Sequence, residues 1–112
     1  MFMIYRKFDG IDEVIISEDF TAEDASKIRN DLEYVVRRGK SKLLLNLSSL
    51  INIEKKAVSL LYFCQKLCRR RNGKVVILNP NKNVSSLVKQ CANKEKFSMC
   101  YSRKSAIDLL SN

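Results

Sequence analysis

The chain alternates between two hydrophobic periods, and this limits its fold more than any other feature. Ala25, Ile28, Leu32, Val35 and Val36 recur at helical spacing, and so do Val58, Leu61, Cys64, Leu67 and Cys68. Between and after them stand short apolar runs, Leu43-Leu44-Leu45-Asn46-Leu47 and Lys74 to Leu78. The first run shows no clear alternation, as expected of a central parallel strand covered on both faces. Strands and helices in alternation with short connections predict right-handed crossovers, hence a mostly parallel sheet flanked by helices.

The remaining segments fit this plan. Met1 to Phe8 and Ile11 to Ile16 are β-prone runs around Asp9-Gly10, a strong signal for a two-residue hairpin turn. Thr21 with Asp24 three residues on resembles a capping box and predicts a helix from about Ala22 to Arg38, with Gly39 as its C-terminal stop. Asn72-Gly73 ends the second helix, and Ser48 to Ile53 reads as a connection leading into it. A third helix carries Val84, Leu87, Val88 and Cys91 after the turn Asn79-Pro80-Asn81. Phe97 to Tyr101 reads as a last strand, and Ser102 caps a terminal helix through Ala106, Ile107, Leu109 and Leu110. The expectation is one α/β domain over residues 1–112, with about five strands and about four helices. Functional loops in such folds lie beyond the C-terminal ends of the strands, which points to residues 48–56 and 79–83.

Composition narrows the chemistry. A chain of 112 residues with 46% hydrophobic residues buries roughly two-thirds of its unfolded surface and needs no disulfide or metal to do so. It has no His, which removes the commonest general base and the usual Ser-His and Cys-His nucleophile pairs. The cysteines, Cys64, Cys68, Cys91 and Cys100, lack the paired knuckles of zinc sites, and two of them fall in an apolar helical pattern. Three glycines leave no phosphate-binding or dinucleotide loop. The acid pairs Asp12-Glu13, Glu18-Asp19 and Glu23-Asp24 read as solvated edges and caps. We therefore expect no enzyme, no cofactor and no metal site. No apolar run approaches the ~20 residues of a membrane span, and the first residues do not resemble a signal peptide. Cytoplasmic placement is expected.

The net charge of +9 is unevenly spread. Residues 1–33 hold four bases against nine acids, and residues 34–112 hold 17 bases against Glu54, Glu95 and Asp108. The bases concentrate in Arg37, Arg38, Lys40 and Lys42, and in Arg69, Arg70, Arg71 and Lys74, at the ends of two helices. Cations there complement the helix dipole. An alternative is sequence-independent nucleic-acid contact by the same residues, although Tyr62 and Phe63 are not interleaved with them for stacking.

Several motifs in order resemble the STAS domain, the fold of anti-sigma factor antagonists in bacterial partner-switching systems. They are Asp19-Phe20-Thr21, Leu44-Leu45-Asn46-Leu47-Ser48, Arg70-Arg71-Asn72-Gly73-Lys74 running on to Asn79-Pro80, and Val84 to Leu87. The resemblance implies a protein-binding role, with an anti-sigma factor or related kinase-like ATPase as partner. A regulatory subunit of a transporter ATPase is the neighbouring possibility. In the family, Ile-Asp-Ser-Ser/Thr-Gly-Leu at the start of the second helix carries the phosphorylated hydroxyl. Here the segment is Ile53-Glu54-Lys55-Lys56-Ala57-Val58, so both hydroxyl positions are lysine. Partner contact is accordingly expected at Asn52, Ile53, Glu54, Lys55, Lys56 and Ala57, without the switch. Glu54 is expected to cap the second helix. Ser48, Ser49 and Ser59 are the remaining nearby hydroxyls, expected to bond locally. Oligomeric state is left open.

Overall fold

The computed structural model describes residues 1–91 and 96–112; Glu95, counted above among the acids, lies outside them. Strands β1 (Phe2–Phe8) and β2 (Ile11–Phe20) form the expected antiparallel hairpin. Asp9 and Gly10 both have positive φ, the geometry that suits the turn to the twist of its strands. Helix α1 (Ala22–Arg38) begins with both halves of the Thr21–Asp24 capping box in place. Then follow β3 (Lys42–Asn46), β4 (Leu50–Ile53), α2 (Lys55–Arg70), β5 (Lys74–Leu78), α3 (Lys82–Gln90), β6 (Ser98–Cys100) and α4 (Arg103–Ser111). The sheet order is β1-β2-β3-β5-β6, with every pair after the hairpin parallel.

Two elements depart from the expectation. Residues 50–53 are a strand rather than part of a connection, and β2 runs on to Phe20 instead of stopping at Ile16. One departure explains the other: β2 pairs with β3 over Asp12–Ile15, then with β4 over Glu18–Phe20. The switch falls at a register shift between Glu18 and Asp19, where Glu18 takes φ 69° and donates its N–H to the Ser49 carbonyl. Such a bulge bends the strand and sends its tail to a new neighbour.

The sheet buries both faces. Val14, Ile16, Leu43, Leu45, Val75 and Ile77 meet α1, α2 and α3, while Ile11, Leu44, Val76 and Leu78 meet α4. This two-sided cover is why the Leu43–Leu45 run shows no alternation. Cys64 and Cys68 lie in the larger cluster, as their helical spacing predicted, and burial pushes both thiols up to about 12.

Gly39 ends α1 where expected, though not in a left-handed conformation: its φ is −92°, and the residue is glycine because a Cβ there would collide with Asp12 Oδ2. The left-handed residue is Ser41, at φ 58°. The Asp12-Glu13 pair is likewise corrected: both are buried, not solvated. Glu13 accepts hydrogen bonds from Arg103 through two nitrogens, from Arg6 Nε at 2.7 Å and from Asn46 Nδ2 at 3.0 Å. These donors compensate a charge that burial alone would disfavour, and hold the Glu13 carboxyl down at about 2.

Candidate partner-docking surface

The loops between β4 and α2 and between β5 and α3 stand together at the C-terminal ends of the parallel strands. Asn81 joins them. Its Nδ2 donates to the Leu50 and Ile51 carbonyls at 3.0 Å each, while its Oδ1 caps α3 by accepting from the Val84 N–H. On the other side, Asn52 Nδ2 donates to Asp19 Oδ1 at 3.1 Å, and the Glu54 N–H donates to the Phe20 carbonyl at 2.9 Å. The rim is thus fixed to β2 and to α3 before any partner arrives.

Glu54 does not cap its own helix. Its Oε1 instead accepts the Ala22 N–H at 2.6 Å, placing the carboxylate at the N-terminus of α1. The chain bends at Glu54 so that its side chain points toward α1, which satisfies one of the orphan donors there. As a result α2 begins with no side-chain cap and no acid in its first turn. Lys55 and Lys56 sit over this bare end, both exposed, and among the described residues neither pairs with a carboxylate. Backbone N–H groups and two ammonium groups therefore present one sign of charge.

Of the six residues expected at the contact, Asn52, Glu54, Lys55 and Lys56 are exposed, whereas Ile53 and Ala57 are buried in the core. The last two set the position of the rim and are closed to a partner. The sequence reading missed Ile51, whose side chain is 59% exposed between the exposed polar residues. The outward turn of Ile51 and Asn52 between buried Leu50 and Ile53 follows from β4, and no local signal announces that strand. Ser48 and Ser59 bond locally as expected: Ser48 Oγ donates to Asn46 Oδ1 and Ser59 Oγ to the Lys55 carbonyl.

The basic groups lie at the opposite end of the sheet. Arg71 draws them together, its Nε donating to Ser41 Oγ and its Nη2 to the Arg37 carbonyl. Among the described residues no three His, Cys, Asp or Glu side chains are grouped to hold a metal, and no helix is long and apolar enough to cross a membrane.

The STAS domain family model matches residues 4–106, and the chain belongs to this family. Its fold is shared with solved structures. A Thermotoga maritima protein described as an anti-sigma factor antagonist superposes with TM-score 0.89 at 14% identity, over 98% of this chain and 95% of its own. The anti-sigma factor antagonist SpoIIAA in its unphosphorylated form gives TM-score 0.77 at 14% identity, covering 97% of each chain. A variant of RsbS from Moorella thermoacetica gives 0.80 at 16% identity, over 97% of this chain and 94% of that one. No curated protein matches the sequence significantly.

Proposed function

We propose that this chain is a non-catalytic regulatory module that binds a protein partner through Asn52, Glu54, Lys55 and Lys56, with Ile51 as the apolar contact among them. The observation that carries this reading is the bare N-terminus of α2. Where the family motif has hydroxyls, the chain has two exposed lysines, and the carboxylate that would offset them is turned away to α1. A partner with an acidic surface fits this rim, and opposite charges there favour encounter and register. Relatives of the same fold described as anti-sigma factor antagonists support an anti-sigma factor as the partner; a related kinase-like ATPase and a transporter ATPase regulated by the same surface are the neighbouring candidates. With no phosphoacceptor in the motif, binding is constitutive.

Tagged wild-type protein and the Lys55→Glu plus Lys56→Glu variant, used as baits in the native cells, test this reading. The specific partner is expected to fall by tenfold or more on the variant, with the captured protein identified by mass spectrometry. Equal capture by both baits contradicts the proposal. Intact-mass measurement of the bait from the same cells is expected to show no phosphate adduct.

A further inference from the structure

The pole opposite the docking rim carries a second surface. Lys42 and Lys74 are register partners at the start of β3 and β5, two like charges directly across neighbouring strands, an arrangement that destabilises by itself. Among the described residues, Arg71 and Lys74 hydrogen-bond to neutral oxygens, the Arg37 carbonyl and Ser41 Oγ for the first and the Leu109 carbonyl for the second. Arg38 lies over the Tyr34 ring, 5.3 Å from its centroid. These contacts hold the cations in place without cancelling their charge. Arg37 has a carboxylate partner in Glu33; among the described residues Lys40, Lys42 and Arg70 have none. Helix dipoles account for cations at these ends, but they do not account for two lysines facing each other across strands.

We infer that this pole is a sequence-independent binding surface for the phosphate backbone of nucleic acid, formed by Arg38, Lys40, Lys42, Arg70, Arg71 and Lys74. An acidic protein partner fits less well, because protein interfaces have an apolar centre. Of the exposed apolar side chains among the described residues, Phe2, Ile4, Tyr5, Ile51 and Tyr101 belong to other elements, Tyr34 is occupied by Arg38, and Leu109, 38% exposed beside Lys74, borders the cations without forming an apolar centre. A phosphate backbone asks only for spaced cations, and the molecule's width of 27–29 Å reaches along about eight base pairs. The inference is independent of the docking rim, which lies at the other end of the strands.

The test is fluorescence anisotropy of the full chain with a labelled duplex over a salt series, repeated with a second duplex of unrelated sequence. Six phosphate contacts predict that log affinity falls with log salt at a slope of about −5, equally for both sequences. Lys40→Ser, Lys42→Ser and Arg70→Ser together remove no side-chain hydrogen bond among the described residues and are expected to reduce that slope by about 3 units. Lys55→Ser with Lys56→Ser, at the other pole, is expected to leave it unchanged. The inference is overturned by absence of binding at low salt, by an unaltered slope in the triple variant, or by polyglutamate or anionic vesicles binding as tightly as the duplex.

Discussion

At the scale of single residues, the buried acids govern stability. Glu13 is fully buried and held by three donor side chains from β1, β3 and α4, so its carboxyl titrates at about 2 rather than at 4.5. A lowered folded-state value stabilises the protein above the unfolded value and is lost as pH falls through the folded one. Urea midpoints are therefore expected to be steady near neutrality and to drop between about pH 4.5 and 2, by about 3 kcal/mol for this group. Glu13→Gln should remove that pH dependence and cost about 2–4 kcal/mol at pH 7 by leaving Arg103 without its counter-charge. An unchanged midpoint in the variant would contradict this. Gly39→Ala is expected to cost about 1–3 kcal/mol through the clash with Asp12. The cost should shrink in an Asp12→Ala background, because the two sites share the contact. Neither effect was legible in the sequence. Asp12 and Glu13 look like any charged pair near a turn until α4, ninety residues away, places Arg103 on one of them.

At the scale of elements, local signals were sufficient wherever an element depends on itself. The capping box starts α1 and its apolar stripe gives its buried face, and Asp9-Gly10 gives the hairpin, because those residues act on their own neighbours. β4 has no such signal. Its four residues alternate neither cleanly nor at length, and it is a strand because the bulge at Glu18 brings the tail of β2 alongside it. The destination of the Glu54 carboxylate is equally non-local, since α1 begins 32 residues earlier. Glu54→Ala should therefore destabilise α1 and not α2, by about 0.5–1 kcal/mol. Hydrogen exchange can check this: faster exchange is expected at amides in the first turn of α1, with α2 unchanged. Faster exchange confined to α2 would return the cap to its own helix.

At the scale of the whole molecule, the parallel strands separate two working ends. At one end of the sheet, loops fixed by Asn81, Asn52 and Glu54 frame the bare start of α2; at the other, Arg71 draws two basic loops together. The placement of the rim followed from the alternation of strands and helices along the chain, which the sequence displays. Which rim residues face outward did not, because Ile53 and Ala57 are claimed by the core only once β4 and α2 pack. The polarity of charge along the chain was legible, but its meeting of residues 37–42 with 69–74 needed the pairing of β3 with β5. Amide chemical shifts of isotope-labelled protein, titrated with the partner captured from native cells, show whether the partner lands on the uncapped, lysine-bearing start of α2. The largest changes are expected on Ile51 to Lys56 and on Asn81 to Asn83. Shifts confined to β1 or to the basic pole, with that rim unmoved, would contradict this.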